Sequence, residues 1–280
     1  MAKQNSKPKV ISVVNMKGGV GKTTLSVNIA YIITKYHNKK VLLIDVDPQF
    51  NATQYLVTWK EIVAHFEKNK TVLDIIMPKK EESIDLVNGK KKKKDKEPKL
   101  KDFIINISKT NGSYLDIIPS TLELIEIENS VRGAEHRLKN FIKKNCKHYD
   151  IIMIDCPPTI GIHTLSAFLA SSYYLIPIKP DHLSSLGLSL LERVLTKYKN
   201  DHNHKLTSLG LVFTMVKHNN YLTPQIMKEI RNSGRSCATA YSTDSVRVAE
   251  SVTDMDSFYN RSGQHQSEFI DITQEILNKL

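Results

Sequence analysis

Short apolar runs recur along the chain at Val10–Asn15, Val41–Asp45, Leu115–Ile118, Ile151–Asp155, Tyr173–Ile178 and Leu209–Met215. They are nearly continuous in Val, Ile and Leu, as expected of strands buried in a parallel sheet. Between them the period lengthens. Leu25, Ile29, Ile32 and Ile33 fall on one face of a helix predicted from Lys22 to about Tyr36. Further helical patterns cover Glu123–Cys146, Leu186–Tyr198 and a last helix from about Glu268 to Leu280. Strand, helix and strand from Val10 to Asp45 make a βαβ unit, which builds a parallel sheet through a right-handed crossover. The pattern predicts an α/β fold: a mostly parallel, twisted sheet with helices on both faces. At 280 residues the length alone allows one or two domains, and the alternation is read as one domain over 1–280.

One stretch departs from this alternation. Residues 79–101 hold ten lysines against five acidic residues, including the run Lys90–Lys94, with Pro78 and Pro98 close to its ends. The composition is that of a solvated loop insert, and a loose tether to DNA is the other reading. The whole chain carries a net charge of +11 and stays basic without this stretch, which favours an acidic partner. The three cysteines, Cys146, Cys156 and Cys237, form no C-x-x-C pair, so a reduced, cytoplasmic setting is expected. No apolar run approaches the roughly 20 residues of a membrane helix, and the basic start leads into no apolar signal core.

The strongest chemical signal is Lys17-Gly18-Gly19-Val20-Gly21-Lys22-Thr23-Thr24, set between the first strand and the first helix. Glycines let backbone N–H groups curl onto phosphate oxygens, and the helix start adds partial positive charge. Lys22 brings a full charge to the outer phosphates, and the Thr23 hydroxyl is placed for Mg²⁺. The general P-loop pattern is missed at its first glycine, where Met16 stands, and Lys17 opens the turn. Spacing alone leaves Lys17 either a functional charge or a solvated lysine. Asp155 ends an apolar strand and faces the crevice at the carboxyl edge of the sheet, where it can hold the Mg²⁺ shell through water. Pro157 and Pro158 stiffen the turn that follows. Asp45 and Asp47 share a face if their strand persists; one could steady the metal shell while the other orients an attacking water. Aspartates that merely form the turn before Pro48 are the plainer alternative.

These segments resemble the ParA/Soj/MinD family of deviant-Walker ATPases, a branch of the P-loop NTPase-like folds. Lys17–Thr24 is similar to its deviant Walker A box. Val41–Gln49 with Asn51-Ala52-Thr53 resembles the ParA form of the next box, and Tyr149–Pro158 its Walker B and switch segment. Gly210–Met215 and Ser245–Ser251 resemble later ParA segments, so the likeness runs from about residue 9 to 280. The resemblance implies ATP and Mg²⁺ as cofactors and a homodimer with two ATP molecules at its interface. It gives Lys17 the role of reaching the partner's phosphates, and Asp47 that of positioning the hydrolytic water. Slow hydrolysis stimulated by a ParB-like centromere-binding protein and DNA is implied too, with Cys156 as a packing residue in the switch turn. Non-specific binding to double-stranded DNA at the nucleoid follows. Arg247 matches a family DNA position, and Lys217, Arg231 and Arg235 are candidates to extend the patch. Each phosphate contact would steepen the salt dependence by a log–log slope of about 0.9.

The chain departs from the family pattern in three ways. The P-loop begins near residue 16, leaving no room here for the N-terminal helix-turn-helix domain of larger plasmid members. The 79–101 insert is longer and more basic than expected. A basic DNA-contacting position falls near Asn219, with Lys217 or His218 as stand-ins. Other classes fit less well. A membrane-positioning ATPase of the MinD kind needs a basic amphipathic tail, whereas Ser267–Leu280 sums to −2 and its Phe269, Ile272, Ile276 and Leu280 are spaced to pack on a core. A reductase of the nitrogenase-iron-protein kind needs a second ligand cysteine beside Cys156, and a GTPase needs an Asn where Ile178 opens Ile178-Lys179-Pro180-Asp181.

Overall fold

Alternate side chains of each buried strand go to opposite faces of the sheet, and this divides the apolar residues into two cores. Leu42, Ile44, Ile152 and Ile154 join one core, while Val41, Leu43, Ile151 and Met153 join the other. The computed structural model describes residues 7–77, 99–110, 112–129, 133–181, 183–218, 221–245 and 264–280. Its strands are β1 (Lys9–Val13), β2 (Lys40–Asp45), β3 (Ile105–Thr110), β4 (Ser113–Ile118), β5 (Ile151–Asp155), β6 (Tyr173–Ile178) and β7 (Thr207–Phe213). They form one sheet in the order β3-β4-β2-β5-β1-β6-β7. Every neighbouring pair is parallel except β3 with β4.

One face is covered by α1 (Lys22–His37), α2 (Asn51–Leu56), α3 (Trp59–Lys68) and the final helix, α9 (Gln264–Leu277). The other is covered by α4 (Val72–Ile76), α5 (Arg137–Asn145), α6 (Ile162–Ala170), α7 (Ser184–His202) and α8 (Leu222–Asn232). Phe269, Ile272 and Ile276 of α9 are fully buried, as their spacing predicts. They lie against α1 and the sheet, so this stripe is not presented to a bilayer.

The expected fold class is the observed one, and the bounds of β5 and β6 coincide with the apolar runs. The helix predicted over Glu123–Cys146 is broken. A 3₁₀ segment occupies Leu122–Asn129, a second 3₁₀ turn occupies Ala134–His136, and only Arg137–Asn145 is α-helical. Gly133 lies between them at φ 91°, a left-handed backbone that no continuous helix passes through. β3 was not predicted because its sequence INISKT is half exposed and carries no apolar run. The last predicted strand is shifted: β7 ends at Phe213, and Met215 beyond it turns to φ 52°. Arg247, Asn219 and residues 79–98 of the lysine-rich stretch lie outside the described residues.

Candidate nucleotide-binding site

Parallel pairing brings the site together. Asp155 at the end of β5 pairs in register with Val13 on one side and Asp45 on the other. The P-loop leaves β1 beside these two carboxylates. Gly19 and Gly21 take left-handed φ values of 67° and 76°, so the loop needs glycine at both positions. Two side chains pin its ends to distant parts of the chain. Asn15 donates to the Pro177 carbonyl at 2.7 Å and accepts the Lys17 N–H at 2.9 Å. At the other end the Thr214 hydroxyl donates to the Val20 carbonyl at 2.8 Å.

Lys22 is buried at the first turn of α1, and its ammonium donates to the Lys17 carbonyl at 3.0 Å. Burial lowers its pKa, while Asp155 and Asp47 pull it the other way. The charge therefore stands in a polar recess facing two carboxylates. Asp155 is fully buried and accepts the Thr23 hydroxyl at 2.7 Å and the Ser26 hydroxyl at 2.8 Å. Burial pushes its carboxyl up to about 6 despite those two donors, and Asp47 adds to the rise.

Asp45 and Asp47 do not share a strand face, because β2 ends at Asp45 and the chain turns. Asp45 accepts the Asp47 N–H at 3.1 Å through one oxygen, and the Thr53 N–H and hydroxyl at 2.9 and 2.8 Å through the other. Burial, then the charge of Asp155, holds its pKa well above the ordinary carboxylate range. Asp45 thus anchors the turn that carries Asp47. Asp47 spends one oxygen on the Gln49 N–H at 2.9 Å, and the Ser120 hydroxyl fixes its carbonyl at 2.7 Å. Its second carboxylate oxygen has no partner among the described residues.

Lys17 stands at the rim, about a third exposed, and its ammonium is ion-paired with Asp181. Such exposed pairs are worth about 0–1 kcal/mol, so a multiply charged phosphate can displace this one. Cys156 is buried in the switch turn, and burial raises its thiol pKa well above the usual value, which suits packing and not nucleophilic attack. Beside the loop lies a cavity of about 120 Å³ lined by Gly21, Thr24, Thr214, Met215, Asp244 and Phe269, among others.

Lys17, Gly18, Gly19, Val20, Gly21, Lys22, Thr23, Thr24, Asp45, Asp47 and Asp155 are all brought together. Of the DNA candidates, the described ones, Lys217, Arg231 and Arg235, stand outside this cluster and have internal partners. Lys217 pairs with Asp244 at 3.3 Å. Arg231 donates to the Thr239 carbonyl at 3.3 Å and covers the Phe213 ring. Arg235 makes a two-pronged contact with Glu192 of α7 at 2.7 and 2.8 Å. Sequence reasoning gave no site role to Asn15, Ser26, Thr53, Ser120, Asp181 or Thr214, although Thr53, Asp181 and Thr214 stand in segments it singled out. Ser26 alone carried a local signal, since it sits one helical turn beyond Thr23 on the same face.

A glycine loop running into a helix at the carboxyl edge of a parallel sheet, with a buried lysine and an aspartate bonded to the loop's threonine, defines a P-loop nucleotide-binding protein. Comparison with known proteins narrows this. The family model of an AAA domain matches residues 8–208. The sporulation initiation inhibitor protein Soj of Bacillus subtilis is 33% identical over 227 residues, which is 80% of this chain and 79% of Soj. The chromosome partitioning protein ParA of Caulobacter vibrioides is 28% identical over 248 residues, 86% of this chain and 83% of that protein. A plasmid partition protein of Borrelia burgdorferi B31, solved bound to AMPPNP, shares the fold with a TM-score of 0.75 at 24% identity, covering 98% of this chain and 100% of that one. The chain belongs to the ParA/Soj family of P-loop ATPases.

Proposed function

We propose that this chain is a partition ATPase of 1–280 whose ATP-bound homodimer holds double-stranded DNA without sequence preference. Hydrolysis, stimulated by a ParB-like centromere-binding partner, releases it, and the cycle segregates a plasmid or chromosome. The setting is cytoplasmic and nucleoid-associated; among the described residues no helix is long and apolar enough to cross a membrane.

The observation that carries this reading is the pair of lysines on one loop. Lys22 is buried and bonded within its own loop, while Lys17 stands at the rim with only an exposed aspartate to hold it. One serves the phosphates of its own subunit. The other is free to leave Asp181 for the partner's phosphates when two subunits close, by the logic of an arginine finger.

The remaining roles follow from what each group has to spare. Gly18, Gly19, Val20, Gly21 and Thr24 offer backbone N–H groups to the phosphates. Burial raises the pKa of Asp45 and Asp155, with a neighbouring carboxylate adding to each rise, which is the electrostatic environment that a hard divalent cation relieves. Thr23 and Asp155 would hold Mg²⁺, with Asp45 behind them, and the bound ion supplies neutralisation of triphosphate charge. Asp47, with a carboxylate oxygen to spare, orients the attacking water. The cavity beside Thr24 and Thr214 takes the nucleoside. Arg247, Lys217, Arg231 and Arg235 contribute to the DNA surface; Lys217, Arg231 and Arg235 must exchange their internal partners for phosphate.

Gel-shift titration of random-sequence duplex DNA with ADP, with ATP, and with ATP plus an Asp47→Ala variant tests the reading. Binding is expected only with ATP and is expected to last longer in the variant. Equal retardation in all three would overturn the switch.

A further inference from the structure

We propose that Thr53 and Ser120 are positioning residues for ATP hydrolysis. With Asp45 they close a ring of hydrogen bonds on the turn that carries Asp47, and the ring fixes where the Asp47 carboxylate points. The proposal rests on the reading of Asp47 as the group that orients the attacking water.

The ring can be followed bond by bond. Asp45 accepts the Asp47 N–H at 3.1 Å. The Asp47 carbonyl accepts the Ser120 hydroxyl at 2.7 Å. The Ser120 N–H donates to the Thr53 hydroxyl oxygen at 3.1 Å. That hydroxyl donates in turn to the other Asp45 oxygen at 2.8 Å, and the circuit is complete. All four residues are buried, and Asp45, Thr53 and Ser120 have no exposed surface. Chain order conceals the ring, because Ser120 lies beyond β4, 67 residues from Thr53 and 73 from Asp47.

The turn inside the ring is one that has to be held. The Asp47 carbonyl also accepts the Phe50 N–H at 2.8 Å, which closes the chain over Asp47–Phe50. Phe50 stands at φ 42°, a left-handed backbone that is costly for a side chain of this size. Such a conformation persists only where its surroundings over-determine it. The ring supplies that constraint by gripping Asp47 at both its N–H and its carbonyl. The Gln49 N–H ties down one carboxylate oxygen at 2.9 Å. The other oxygen, the one with no partner among the described residues, is thereby aimed.

The two hydroxyls differ in what they hold. Thr53 has the one side chain of the ring that both donates and accepts, so its loss opens two bonds at once. Buried as they are, these groups have no bulk water to replace a lost partner. Losing the Ser120 hydroxyl is gentler, since the Asp47 carbonyl keeps the Phe50 N–H. The side-chain hydrogen bonds of Thr53 and Ser120 go to this ring and not to the phosphate loop. Opening the ring is therefore expected to slow hydrolysis and to spare nucleotide binding.

The test is single-turnover ATP hydrolysis by the full-length protein with Mg²⁺, alongside binding of an N-methylanthraniloyl-ATP probe. Ser120→Ala and Thr53→Val are each expected to lower the hydrolysis rate by about ten- to a hundredfold, with probe affinity in place. Thr53→Ser keeps the hydroxyl and is expected to restore the wild-type rate. In an Asp47→Ala background neither Ser120→Ala nor Thr53→Val is expected to slow hydrolysis further, because both act through Asp47. In nucleotide-free protein, the Asp47 and Phe50 amides are expected to exchange hydrogen faster in Thr53→Val than in Thr53→Ser. A full rate in Ser120→Ala and Thr53→Val beside a slow Asp47→Ala overturns the proposal. So does a further loss in the Asp47→Ala background, or equal exchange in the two Thr53 variants. Asp47→Ala hydrolysing at the wild-type rate removes instead the role of Asp47 on which the proposal rests.

Discussion

Replacing Asp155 with Asn removes a charge that its buried surroundings disfavour. A carboxyl moved from 3.8 to about 6 is ionised at neutral pH at a penalty of about 3 kcal/mol, since each tenfold change in proton affinity is worth about 1.4 kcal/mol. The folded state binds this proton more tightly than the unfolded chain does. Stability from this group is therefore fullest below about pH 4 and declines as the pH rises to about 6, after which the penalty is constant. Asn lifts the penalty but accepts only one of the two hydroxyls now bonded to Asp155, a loss of about 1–2 kcal/mol. The net gain near pH 7.5 is about 1–2 kcal/mol, or roughly 3–6 °C in Tm. Differential scanning calorimetry with chelator and without nucleotide measures it. Near pH 5 the wild-type group takes up its proton and the variant's advantage disappears. With Mg²⁺ and ATP at 100 times Kd the wild type regains about 2.7 kcal/mol, and the variant does not. A variant that is less stable by the same amount at both pH values would refute the argument.

Three further outcomes are expected. Lys17→Ala abolishes ATP-dependent dimerisation in light scattering while leaving the monomer folded, because it removes only an exposed ion pair; an unaltered dimer would remove the reach to the partner. Gly210→Ala places a Cβ 2.6 Å from the Ser236 carbonyl oxygen at φ 103°, a loss of at least about 3 kcal/mol, and an unchanged urea midpoint would contradict that strain. Tyr149→Phe takes away the 2.6 Å hydrogen bond to buried Asp116 and is expected to lower stability by about 1–3 kcal/mol, again read from the urea midpoint.

What could be read from the residues in order was what local pattern encodes. β1, β2, β5 and β6 are buried on both faces, so their apolar runs are nearly unbroken, and the glycine loop announces itself between a strand and a helix. β3 was hidden because an edge strand has one wet face, and the break at Gly133 was hidden because helical periodicity continued past it. The phosphate loop itself was plain, but its supports were not. Asn15 reaches Pro177, Val20 receives Thr214, and Lys17 finds Asp181, contacts spanning 162, 194 and 164 residues of chain. Such pairings exist only once the sheet is assembled. The same holds for Asp45, whose spacing from Asp47 suggested a shared strand face and whose hydrogen bonds to Thr53 show an anchor for the turn.

The two margins of the sheet differ. On one side β3 runs antiparallel and loses register between Asn106 and Ser108. On the other, β7 and the residues after it are bridged at Leu211 by Cys237 and at Val216 by Thr243. An irregular edge is a poorer template for another chain's strand than a regular one, and an occupied edge is none. If copies of this protein line up along DNA, the joints on the β7 side have to be made by helices and loops, because that margin of the sheet is already taken.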